Sequence, residues 1–222
     1  MLRVGLTGGL ASGKSTVAGL LRALGAELIE ADELGRALME PGQSVYRKVI
    51  DQFGPSVVLH DGRLDRACLA RLAFAEGRLN ELNAIVHPAV IEAQQQWMQQ
   101  VFARDPEAIA VVESALIFEV VRDARARGET TGPLANWRER MDRVVLVTAP
   151  EATRVARYVE RVARPGDDLS ALAEDARRRL AHQIPDSEKI KMADEVIENN
   201  GNIDDLQRQV EAVWQRLRQG NN

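Results

Sequence analysis

Near the amino terminus an apolar run at 2–6 passes through Thr7 into Gly8-Gly9-Leu10-Ala11-Ser12-Gly13-Lys14-Ser15, and this junction constrains the fold more than any other stretch. The eight residues satisfy G-x-x-x-x-G-K-[ST], in which a strand feeds a glycine-rich loop and a helix opens at the lysine. Glycines let main-chain amides turn around a polyphosphate without Cβ interference. The helix that follows adds the positive end of its dipole. Lys14 then supplies a compact charge to β- and γ-phosphates, and Ser15 offers a hydroxyl to Mg²⁺. Residues 8–16, from Gly8 through Thr16, are therefore the expected ATP·Mg²⁺ cradle. Only four of the 29 basic residues are lysines (Lys14, Lys48, Lys189 and Lys191), yet the cradle position keeps one. Arginine is too broad and planar for that place.

The remaining pattern predicts an α/β fold. Val17, Leu20, Leu21 and Leu24 recur at helical spacing, and Gly25 stands where a helix C-cap belongs. Strands are expected at 27–30, 108–112, 143–148 and 195–198, and an amphipathic helix at 204–218. Strands separated by helical stretches imply crossovers and one five-stranded parallel sheet, the three-layer P-loop NTPase arrangement. Residues 43–103 read as helical in several pieces, broken at Gly54-Pro55 and at His60-Asp61-Gly62, with Asp65 as an N-cap. His87-Pro88 reads as a further helix start. The charged, aperiodic segment 122–142 reads as a surface insertion, and the whole of 1–222 as one kinase-sized domain. A chain of 222 residues with a net charge of −4 lacks the broadly basic surface of a nucleic-acid binder. The lone Cys68 permits no intrachain disulfide and reads as a small buried hydrophobe. With no apolar leader or span, a soluble, cytoplasmic protein is expected, as a monomer or weak homo-oligomer.

A phosphate loop alone does not separate kinases from switches. A kinase also needs an acceptor carboxylate and a cationic lid. Asp32, just past the second strand, reads as a base for an acceptor hydroxyl or as the N-cap of the helix at 33–40. Glu113, ending the third strand, reads as an Mg²⁺ holder or as an ordinary strand-end acid. Arg154, Arg157 and Arg161 recur at three and four, ahead of the turn 164–168 and of Arg177-Arg178-Arg179. That spacing suits a phosphate-closing lid over about 154–183, or a solvated helix face. His87 reads as a structural histidine or as a substrate contact.

The ordered set GLTGGLASGKSTVA (5–18), LIEADELGR (28–36), EPGQ (40–43), Phe53-Gly54, VHP (86–88), SALIFE (114–119) and ADEVIENNG (193–201) resembles the dephospho-CoA kinase family, from Leu2 to about Gly201. The resemblance implies transfer of the ATP γ-phosphoryl to the ribose 3′-hydroxyl of dephospho-CoA, giving CoA and ADP. It implies Asp32 as the base, Arg161 as a lid arginine, Asn199 near the adenine and His87 on the CoA side. The helical stretch 43–103 would then be the acceptor-binding region. The family's D-A-D is Glu30-Ala31-Asp32 here, Ala115 replaces a usual proline, and Glu113 stands where aspartate is common. Another small-acceptor P-loop kinase and a non-catalytic nucleotide switch remain as alternatives.

Overall fold

In the computed structural model, which describes residues 1–220, five strands alternate with helices along the chain. β1 (Leu2–Thr7), β2 (Glu27–Glu30), β3 (Ile109–Glu113), β4 (Arg143–Thr148) and β5 (Glu195–Glu198) form one sheet in the order β2-β3-β1-β4-β5. Every pairing is parallel, with Leu6 opposite Glu113, Glu30 opposite Glu113 and Thr7 opposite Leu146. The central strands are apolar on both faces, as a sheet covered on two sides requires.

The carboxyl ends of β1, β2 and β3 therefore meet at one edge, where a doubly covered parallel sheet receives its ligands. One face packs on α1 (Lys14–Ala23) and on α10 (Ile203–Gln219), joining Val17, Leu21, Leu206, Val210 and Trp214 to the strand residues. The other face meets α2 (Ala31–Leu38), α5 (Leu79–Arg104) and α6 (Ile117–Ala126) through Val90, Met98, Ile117 and Phe118.

Beyond the sheet, α3 (Ser44–Phe53) and α4 (Arg66–Ala70) join α5 in a separate apolar cluster around Val45, Val49, Phe53 and Leu69. Asp65 caps α4 as expected, accepting the Cys68 amide at 3.0 Å. A second small cluster holds the hairpin of α7 (Glu151–Val162) and α8 (Leu169–Ala181) around Val155, Tyr158 and Ala176. The short α9 (Asp186–Lys189) leads from this hairpin to β5.

Two expectations need correction. His87-Pro88 does not start a helix, because α5 runs through it for 26 residues with Pro88 inside. Proline removes the bond to the carbonyl four residues back. That carbonyl belongs to the exposed Ala84, where water can take the proton donor's place.

Nor is 122–142 a surface insertion. It begins within α6, and Ala135 and Met141 are fully buried. Trp137 stands edge-on to Phe118 at 5.7 Å, and Asp142 takes a forked bond from Arg3. These anchors sit on turns of irregular spacing, so no period betrays them. The last two positions of the expected 1–222 domain lie outside the described residues.

Candidate active site

At the end of β1 the chain crosses Gly8–Gly13 before α1 opens. Gly13, with φ 96°, precedes the first helical residue. Ala11 has φ 54°, the one positive value at a non-glycine among the described residues. This conformation turns the loop back on itself, with the Ser12 amide donating to Gly9 O at 3.2 Å. The Lys14 and Ser15 amides, in the first turn of α1, have no helical acceptor of their own, the usual condition of a helix start that can receive an anion.

The loop is braced from outside by three elements. Asn199, at the end of β5, donates from Nδ2 to Ser12 O at 2.9 Å. Arg157 on α7 in turn donates to Asn199 O and Oδ1, each at 3.3 Å. The Leu10 peptide is gripped at both ends: its amide donates to Gln183 Oε1, and its carbonyl accepts from Arg154 Nε, each at 3.0 Å. Asp186 holds the other side of the Arg154 guanidinium at 2.8 Å. Behind this group Lys189 and Glu119 form an ion pair of 2.6 Å, with both side chains buried.

On the opposite side stand the carboxylates. Ser15 Oγ donates to Glu113 Oε1 at 3.4 Å, while Glu113 Oε2 is buried without a protein partner. Burial pushes the Glu113 carboxyl above its ordinary range, with Lys14 opposing. Burial likewise draws the Lys14 ammonium below the usual lysine range, against the pull of Glu113 and Asp32. Asp32 is exposed in the first turn of α2, and its carboxylate forms no hydrogen bond or ion pair with any described residue. The N-cap reading of Asp32 falls, because Glu30 occupies that position.

Asp32 and His87 line one cavity of about 340 Å³, walled by α2, α5 and the loop after β3. Burial lowers the His87 imidazole to about 4, and its Nδ1 has no partner. Of the three arginines on α7, Arg154 and Arg157 reach the loop or its brace. Arg161 is exposed and lies 5.8 Å over the Tyr158 ring. It is two turns beyond Arg154, roughly 10 Å along the helix axis. Gln183, Asp186 and the Lys189–Glu119 pair escaped sequence reasoning. Lys189 alone had a signal, as one of the scarce lysines.

The 2-3-1-4-5 parallel sheet, with a lysine-bearing glycine loop at its carboxyl edge and acids facing it, defines a P-loop phosphotransferase. A model of the dephospho-CoA kinase family matches residues 2–205. The chain belongs to the dephospho-CoA kinase family. It is 38% identical over 218 residues to a dephospho-CoA kinase from Moorella thermoacetica, covering 98% of this chain and 92% of that one. It is 39% identical over 208 residues to one from Corynebacterium glutamicum, covering 93% and 92%. The crystal structure of TT1252 from Thermus thermophilus superposes with a TM-score of 0.70 at 32% identity, over 97% of both chains. A dephospho-CoA kinase structure from Campylobacter jejuni, at 22% identity and a TM-score of 0.65 over 99% and 98%, shares the fold.

Proposed function

We propose that this chain transfers the γ-phosphoryl group of ATP to the ribose 3′-hydroxyl of dephospho-CoA, with Asp32 as the acceptor base. The observation that carries the reading is the unpartnered Asp32 carboxylate. It shares a cavity with His87 and lies close enough to Lys14 to act on its charge.

In this reading the loop amides and the Lys14 ammonium hold the β- and γ-phosphates. Asp32 orients the acceptor hydroxyl and takes its proton as that oxygen attacks the γ-phosphorus. The β–γ bridging oxygen departs with ADP. The hairpin over about 154–183 acts as the lid, and Arg161 at its outer end closes toward the transferring group and helps exclude water. Asn199 braces the loop beside the nucleotide, and His87 contacts the acceptor.

The donor set at Ser15 and Glu113 fits Mg²⁺, which takes few protein oxygens and shares its shell with phosphates. The orphaned Glu113 Oε2 supports that fit. Bound there, Mg²⁺ would neutralise charge on the phosphates.

The helical region 43–103 is read as the acceptor-binding part. An apolar hollow of about 510 Å³ between α4 and α5 shares Met39 and Arg66 with the Asp32 cavity, which suits an acceptor with a long arm. Every residue invoked lies in one chain, so a monomer or weak homo-oligomer suffices. No nucleic-acid partner is invoked. No helix among the described residues is long and apolar enough to cross a membrane, which agrees with a cytoplasmic enzyme.

The test is ADP release from enzyme, ATP and Mg²⁺ on adding dephospho-CoA, with adenosine and AMP as control acceptors. Rapid release with dephospho-CoA alone is expected. Preference for either control would hand the site to a nucleoside or nucleotide kinase. Nucleotide binding without acceptor-dependent ADP would leave a switch.

A further inference from the structure

The Asp32 cavity carries a buried positive charge that no protein group answers. Three arginines line it: Arg36, Arg66 and Arg140. The first two are exposed, and Arg66 lies 3.6 Å from Glu40. Arg140, in the turn before β4, is only 3% exposed. Its side chain donates from Nη2 to Ile117 O at 3.3 Å, and its Nε is buried with no partner. It forms no ion pair among the described residues. Asp123, which acts on His87 from α6, is bonded by Arg122 at 2.9 Å. Burial alone draws the Arg140 guanidinium down to about 10.

A guanidinium has five donors in a rigid fork. Burying one without a counter-ion is strongly unfavourable, so such a group persists where a ligand completes it. Gln94, 4% exposed on α5, lines the same cavity, and its side-chain amide makes no hydrogen bond to a described residue. Arg140 and Gln94 therefore present unused donors beside an exposed carboxylate, and an anion with further acceptor oxygens is what they would recognise.

We propose that Arg140 binds the diphosphate of the acceptor, its guanidinium fork closing on the anion within the cavity that Asp32 shares. The proposal rests on the reading that dephospho-CoA is the acceptor and names the residue that selects it. The diphosphate hangs from the same ribose as the reacting hydroxyl, so holding it orients that hydroxyl toward Asp32. A neutral nucleoside leaves Arg140 buried and unanswered, and is rejected for that reason.

The experiment compares wild type, Arg140→Met and Arg140→Lys in kinetics and in melting temperature. Methionine removes the charge at similar length, and lysine keeps a charge without the fork. For Arg140→Met we expect the dephospho-CoA KM to rise about 10- to 100-fold, with the ATP KM unchanged. The decline of kcat/KM with salt should be shallower than in wild type. Arg140→Lys should recover part of the loss. The melting temperature of Arg140→Met should equal or exceed that of wild type, since an unpaired buried charge has been removed.

An unchanged acceptor KM in a folded Arg140→Met chain would overturn the proposal. So would equal losses for ATP and acceptor. A variant that melts well below wild type, or fails to fold, would make Arg140 a structural residue and overturn it too. Wild-type turnover of dephospho-CoA is measured first; its absence sinks the proposed reaction, whereas normal turnover with an insensitive Arg140→Met sinks only this assignment.

Discussion

The Lys189–Glu119 pair ties the helix after β3 to the base of the α7–α8 hairpin, and its removal should be costly in a characteristic way. Lys189 Nζ lies 2.6 Å from Glu119 Oε1, with the two side chains 0% and 4% exposed. The same oxygen accepts the Ile184 amide at 3.1 Å. The ammonium sits off the hydrogen-bond direction and Glu119 Oε2 has no donor, so the contact is chiefly Coulombic.

Replacing Lys189 by Met leaves a carboxylate buried with one amide for company. Breaking a buried pair from one side costs about 3–5 kcal/mol. At roughly 2–4 °C per kcal/mol for a chain of this size, the melting temperature should fall by about 6–20 °C. Glu119→Leu alone should behave similarly. The double variant Lys189→Met/Glu119→Leu removes both charges and should regain most of the loss, a coupling read directly from the double-mutant cycle. Thermal melting followed by circular dichroism is the assay. A single Lys189→Met shift of under ~2 °C, or losses that simply add in the double variant, would refute the reasoning.

The other predictions concern the histidine and the loop. Folded His87 titrates at about 4 against an ordinary 6.5, so between these values the unfolded chain holds the extra proton and stability falls as pH drops through the window. The full span is worth roughly 2–3 kcal/mol, and His87→Asn should flatten the stability curve between pH 6.5 and 4; an unaltered curve would contradict the assignment. Gly13→Ala should abolish ATP binding measured by calorimetry, because φ 96° disfavours a side chain and the new Cβ would collide with the Asn199 amide that braces Ser12. Wild-type affinity in that variant would show the loop conformation to be unnecessary.

What could be read from the chain was local. The strand, loop and first helix follow from consecutive residues, and the five parallel strands follow from apolar runs spaced by helices. Glu113 and Asp32 could be placed at the sheet edge because Glu113 ends one strand and Asp32 follows another by two residues. Contacts between distant segments were not legible. Nothing near Gln183 announces that it bonds the phosphate loop, and the motif around Asn199 put it near the nucleotide without showing its bond to Ser12 O. Arg140 is one arginine among many until Ile117, Gln94 and His87 close around it. Pro88 misled because its missing bond falls at exposed Ala84, where packing of α5 against α2 outweighs it. Arg161 looked equivalent to Arg154 by spacing, yet two turns of helix carry it away from the loop.

The most direct test of the account is Asp32→Asn, assayed for phosphorylation of dephospho-CoA and, separately, for ATP affinity. If this carboxylate takes the acceptor's proton, kcat should drop by about 10²–10⁴ while the ATP dissociation constant stays within about twofold. Turnover at the wild-type rate would contradict the central claim.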